Sequence, residues 1–145
     1  MRDHSLLVRQ AVVMALLADA GVSAIVGQRV YGETVNPEMS TWPSEANPAY
    51  VKTGLPITAP SEPSGLNGGE TRFAVHGFAA GPSSDLAEQL KGAVIAALDL
   101  KPLPLTGGAV MRDLRCLLSS TVSDTGSPSD FHVIVQLAAL TAERA

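Results

Sequence analysis

Between Ser5 and Ala20 the chain reads as a helix that is apolar on nearly every side. Leu6, Gln10, Val13, Met14 and Leu17 share one face of a helical wheel, while Val8, Val12, Ala15 and Leu16 fill the opposite one. A helix at the surface of a domain needs only one apolar stripe, so this one must be covered from more than one direction. A single sheet covers one face. The other calls for a second helix of the same chain or for another subunit, and the sequence leaves both open. Asp3 or Ser5 is placed to cap the first amides, and Gly21 is placed to close the helix in a left-handed conformation.

A basic residue ahead of an apolar run resembles a signal sequence, but Arg9, Gln10 and Asp19 interrupt the run and its period is that of a folded helix. No stretch reaches the roughly 18 uninterrupted apolar residues that a membrane span requires. The expectation is a soluble, unprocessed chain with no membrane partner. At 145 residues with 46% hydrophobic content, it has material for one domain over 1–145 and too little for two. Ten Lys plus Arg against fourteen Asp plus Glu leave a net charge of −4 without a basic cluster, which argues against tight binding to a phosphate backbone. The single cysteine, Cys116, forms no internal disulfide, so a reducing cytosol suits the chain.

Beyond Gly21, Ser23-Ala24-Ile25-Val26-Gly27 reads as a short helical turn stopped by glycine, and Arg29-Val30-Tyr31 as a brief extended segment. Residues 32–48 contain Pro37, Pro43, Pro48 and the only tryptophan, Trp42, without a clear period; a loop of this length is often functional, which makes Trp42 a candidate contact. Ala49-Tyr50-Val51-Lys52-Thr53 and Thr71-Arg72-Phe73-Ala74-Val75-His76-Gly77-Phe78 have the composition of strands. Between them, Pro56, Pro60 and Pro63 followed by Asn67-Gly68-Gly69 predict a long hairpin arm over residues 54–70. It presents Leu55, Ile57, Leu66 and Asn67 as candidate contacts.

A second helix follows Gly81-Pro82, with Ser83, Ser84 or Asp85 as cap and Glu88 three residues beyond Asp85, the spacing of a capping box. Leu86, Leu90, Val94 and Leu98 repeat every fourth residue and mark the core face. Gly92 in mid-helix predicts close approach by another backbone, and Ile95 falls on the charged side as a stray exposed residue or a contact. Two closing strands, 109–122 and 129–141, flank a turn; in the second, Phe131, Val133, Val135 and Leu137 point one way and His132, Ile134 and Gln136 the other. The sum is an α+β fold, with two helices packed on one face of an antiparallel or mixed four-stranded sheet and a long hairpin arm.

The residues offer no foothold for catalysis. His4, His76 and His132 stand at no metal-ligand spacing, and His76 and His132 fall opposite their apolar neighbours in strands, as solvent-facing or interface residues. Cys116 sits in the apolar run Leu114 to Leu118, where a buried structural thiol is expected rather than a nucleophile. The Gly65-to-Glu70 stretch lacks the lysine and following helix of a phosphate loop, no Gly-x-Ser-x-Gly elbow occurs, and the carboxylates are scattered. The expectation is a protein that is not an enzyme, with no cofactor and no metal.

Several segments together resemble one family. Leu6-x-x-x-x-Ala11, the run Ala18-Asp19-Ala20-Gly21-Val22-Ser23-Ala24-Ile25-Val26-Gly27-Gln28-Arg29-Val30-Tyr31, then Pro48-Ala49-Tyr50-Val51 and Phe73-Ala74-Val75-His76-Gly77-Phe78 leading to an alanine-rich helix, are similar to the phage tail-completion or tail-terminator family, as are the closing strands that end Gln136-Leu137-Ala138-Ala139-Leu140-Thr141. The resemblance implies a virion protein of long-tailed phages or gene transfer agents. It would form a homo-hexameric ring on the head-proximal end of the finished tail tube, stopping polymerisation and docking the head connector, after assembly in the host cytoplasm. The partners so implied are other copies of the chain, the tail tube protein and the connector or stopper, with DNA passing through the lumen unbound. Residues 32–48 and 54–70 depart from the family pattern and are read as contacts to the tube or the adjacent subunit. Two alternatives stay open: another head-to-tail joining or stopper protein, and a small ligand-binding or regulatory α+β module.

Overall fold

The computed structural model describes residues 3–32, 49–60, 68–124 and 127–144. Helix α1 (Ser5–Ala18) is followed by a second helix, α2 (Ala20–Val26), and the two are bent by 79°. This corrects the single first helix expected to reach Ala20. Asp19 takes an extended conformation at the junction, and its carboxylate accepts the Val22 N–H at 2.9 Å, so it caps the second helix rather than continuing the first. Gly21 therefore lies inside α2, and it is Gly27, at φ +60°, that ends it. Among the described residues no single helix is long and apolar enough to cross a membrane.

Six strands follow in one mixed sheet: β1 (Val30–Tyr31), β2 (Ala49–Thr53), β3 (Ile57–Pro60), β4 (Gly69–Ala80), β5 (Ala109–Asp124) and β6 (Ser127–Glu143), with helix α3 (Asp85–Leu98) between β4 and β5. Their order is β1-β2-β4-β6-β5, and β3 pairs with β4 in line with β2. Only β1 and β2 run parallel among the described strands. The α+β class and the one-sided helix layer stand as expected, with three helices and six strands instead of two and four. The additional strands are the two-residue β1, read from the sequence as a brief extended segment, and the four-residue β3, which lies within the expected arm. Of the expected hairpin arm, β3 lies antiparallel to residues 69–72 of β4 as a short ladder in the sheet, and residues 61–67 lie outside the described residues.

Periodicity accounts for the core. Val8, Val12 and Leu16 of α1 and Leu90, Val94 and Leu98 of α3 recur every four residues and are buried. They meet the alternating Val133, Val135 and Leu137 of β6, with Val51, Val75 and Leu114 from neighbouring strands. Burying a side chain of this size contributes about 1.5–3 kcal/mol. The apolar contact between α3 and the sheet is close because β4 carries Gly77 beneath Leu90, where a Cβ would stand 2.8 Å from Leu90 Cδ2. Gly92 has nothing within 4 Å of its missing Cβ, so the close approach expected there is found at Gly77 instead. The N-cap of α3 is Ser84, with Ser83 Oγ accepting the Asp85 N–H; Asp85 and Glu88 both lie in the first turn, where they favour the helix dipole without forming the capping box.

Candidate assembly surface

All three helices lie on one side of the sheet, and among the described residues no element covers the other side, called the bare face below. What populates that bare side is set by a mismatch between β4 and the strands beside it. Thr53 pairs with Val75 and Ile57 with Arg72, so three residues of the outer strand, 54–56, face two of β4. One extra residue is a β-bulge, and it reverses the side-chain alternation beyond it. Gly54 donates its N–H to the Ala74 carbonyl at 2.7 Å, and a Cβ there would stand 3.3 Å from that oxygen and from His76 Nε2. Thr53 is buried, Thr58 shares a 2.9 Å hydrogen bond with the buried Thr71, and Ile57 between them points outward at 74% exposure. Leu55 is 71% exposed.

Across the sheet, β5 shifts register against β6 at three places, between Met111 and Asp113, between Cys116 and Leu118, and between Ser123 and Asp124. The second places consecutive residues Leu117 and Leu118 at the surface. With Leu55 and Ile57 on the β3 side, Leu117 on the β5 side and Ala74 and Gln136 between them, the bare face carries a groove of about 240 Å³. Its middle is uncharged. Toward one end, Glu70 pairs with Arg72 at 2.6 Å and Asp113 pairs with Arg115, around a second depression of about 310 Å³ that includes Ala138 and Leu140.

Toward the other end the face is aromatic. Tyr50 stacks on Phe78 with ring centroids 4.7 Å apart, and Phe78 on His132 at 4.5 Å. His76 Nδ1 lies 2.8 Å from His132 Nε2, beside a depression of about 590 Å³ that Lys52 and Leu55 also line. Burial, aided by the charge of Lys52, lowers the His76 pKa from its ordinary value. Histidines 56 residues apart in sequence thus become partners. No sequence spacing announces this, because the β4–β6 register creates it.

The sequence candidates distribute unevenly over this surface. Leu55 and Ile57 stand on the groove wall, Ile95 is half-buried and packs against the core, and Trp42, Leu66 and Asn67 lie outside the described residues. Ile95 lies four residues from both Lys91 and Asp99, on the face expected for it, and is half-buried there at the margin of the core. Sequence reasoning did not single out Leu117, Leu118 or Val122, which are also exposed. Cys116 is half-buried, its N–H donates to Asp99 at 2.7 Å, and burial followed by the Asp99 charge raises its thiol pKa, the reverse of what a nucleophile needs. Among the described residues no three His, Cys, Asp or Glu side chains converge on a common point.

One layer of helices packed on a mixed sheet, whose other face carries an apolar groove among the described residues, makes this a small α+β domain. Residues 10–142 match the family model described as tail completion protein gp17, and the chain belongs to that family. Membership makes it a structural component of a phage-type tail. No curated protein matches it. Its fold is shared with a chain of a solved structure titled "Virion of native gene transfer agent (GTA) particle", at 21% identity, TM-score 0.80, and coverage of 97% of this chain and 98% of that one. A second solved chain is 16% identical, with TM-score 0.60 and 96% of each chain covered.

Proposed function

We propose that this chain forms a homo-hexameric ring that caps the head-proximal end of the completed tail tube, stops tube polymerisation and provides the surface on which the head connector docks. The observation that carries this reading is a subunit with two apolar surfaces that none of the described residues covers, the groove on the bare sheet face and the outward stripe of α1, within a family of tail completion proteins. Exposed apolar area of this kind marks interaction sites. The shared fold with a chain of a gene transfer agent virion supports a working place inside an assembled particle. DNA crossing the lumen meets a chain of net charge −4, whose Arg72 and Arg115 are each paired with a carboxylate, and is not held. Leu55, Ile57, Leu66, Asn67, Trp42 and Ile95 are the candidate contacts to the tube or the neighbouring subunit, and assembly takes place in the host cytoplasm.

Deletion of the gene, followed by electron microscopy of the particles produced, tests this directly. Headless tails of uncontrolled length are the expected result. Normal-length tails without heads would assign the chain to the stopper side of the joint, and normal particles would refute a role in the virion. Deleting residues 55–67 should abolish ring formation or tail attachment; if both survived, the arm would not be a contact.

A further inference from the structure

We propose that the groove on the bare sheet face receives the outward stripe of α1 from a second copy of the chain, so that neighbouring subunits join helix to groove. The inference rests on the ring reading above and names the two surfaces that would build the ring.

The stripe is regular. Opposite the buried Val8, Val12 and Leu16, the exposed residues of α1 are Leu6, Gln10, Met14 and Ala18, again four apart, with Leu6 53% and Met14 70% exposed. It contains no charge. The groove has one charged lining residue, Arg72, which is held by Glu70 beside Ile57; the rest of its lining is uncharged, with the Asp113–Arg115 pair beyond one end and Lys52 beyond the other. Polarity matches in detail as well: Gln10 lies midway between Leu6 and Met14, and the exposed Gln136 lies midway between the groove walls, so the two amides can pair.

The dimensions also agree. The walls stand on β3 and β5, with β4 and β6 between them, and three strand spacings make roughly 14 Å. A helix with its side chains is about 10–12 Å across, and 14 residues of helix run about 21 Å. Leu6, Met14, Leu55, Ile57, Leu117 and Leu118 each present on the order of 100 Å² of apolar surface. Covered together, they supply about a third to a half of the roughly 1,200–2,000 Å² that a stable interface buries, and the groove floor and helix flanks add to it.

The stripe and the groove are different surfaces on different layers of the domain. A contact between unlike patches is heterologous: every copy offers one of each, so the series continues past a pair, and it closes into a ring where the rotation per subunit divides a full turn.

The test uses chains in which Cys116→Ser removes the native thiol. Met14→Cys and Leu117→Cys are made singly and together, and a short bis-maleimide is applied to the purified protein and to particles from cells expressing each variant. Both positions are exposed, so circular dichroism and melting should match the parent. The double variant should give a ladder of covalent multimers in steps of one subunit, and each single variant none. Dimers from Leu117→Cys alone would show bare faces meeting each other and overturn the proposal. So would a product whose mass is not a multiple of the subunit, which would assign the groove to another tail protein. A charge swap gives a second readout: Met14→Glu should abolish assembly, and Leu117→Lys in the same chain should restore it. If particles depend on the gene yet the double variant gives no ladder in them, the tail function stands and this contact falls. If the ladder forms while deletion leaves tails normal, the contact stands and the terminator reading falls.

Discussion

Gly77→Ala isolates the closest approach in the fold. A Cβ at position 77 would stand 2.8 Å from Leu90 Cδ2 and 3.3 Å from both Leu90 Cγ and Val133 Cβ. Leu90 and Val133 are fully buried, so neither has free space into which to withdraw. Overpacking a well-filled core costs about 1–3 kcal/mol. Replacing glycine in a strand returns about 0.5–1 kcal/mol by restricting the unfolded chain. The balance is a loss of about 1–2 kcal/mol, a melting temperature lowered by roughly 3–6 °C in a domain of this size. Gly92→Ala is the matched control: it occupies open space on α3 and should raise stability by about 0.5–1 kcal/mol. Thermal unfolding followed by circular dichroism reads both, and opposite signs are expected. On a Leu90→Ala background, itself about 2–5 kcal/mol less stable, the Gly77→Ala penalty should shrink to less than half, because the closest contacts, those to Leu90 Cδ2 and Cγ, are gone and only the one to Val133 Cβ stays. A Gly77→Ala protein as stable as the parent, or a penalty that keeps more than half its size without Leu90, would refute this account.

Three more substitutions test other parts of the structure. Asp19→Ala removes the carboxylate that holds the Val22 N–H and should cost about 0.5–2 kcal/mol, seen as a lower midpoint in urea with an unchanged slope. Thr53→Val replaces a buried hydroxyl that has no hydrogen-bond partner among the described residues, and should raise stability by about 1 kcal/mol in the same assay. His76 is harder to protonate in the folded chain than in the unfolded one. Its contribution to stability is therefore complete above the unfolded histidine value of about 6.5 and is lost as pH falls through that value toward the lower folded one. The melting temperature should drop between pH 7.5 and 5.5, and His76→Gln should flatten that drop; an equally steep drop in the variant would exclude His76 as its source.

The parts of the fold that were legible in the sequence are those whose signal is local. Leu90, Val94 and Leu98 repeat on one turn-spaced stripe, and Val133, Val135 and Leu137 alternate along one strand; in both cases the period alone names the buried side. Asp19 carried a readable signal too, a capping residue ahead of Val22, but the surrounding apolar run outweighs it when the segment is read as a single helix. The bulges were not legible, because an extra residue exists only relative to a partner strand. By alternation from Thr53, Leu55 and Ile57 would both face the core; the one-residue excess over β4 turns Ile57 to the bare side. The His76–His132 contact has the same origin in register.

These non-local features also decide what the surface can do. A regular antiparallel sheet with one solvated face alternates apolar in and polar out, and here that rule would give a polar outer face. The bulge before β3 and the bulge at Leu117 each break the alternation, on opposite sides of the two central strands, and each brings aliphatic side chains onto the outer face. The strip between them, at Ala74 and Gln136, is low and uncharged, whereas the same face farther along carries its charges as closed pairs, Glu70 with Arg72 and Asp113 with Arg115. A face meant for water or for a polyanion would carry open charge across its middle. Aliphatic walls around a neutral floor are instead the composition of an interface core, with its polar rim already in place. That composition is the one the proposed helix-to-groove contact requires of this face.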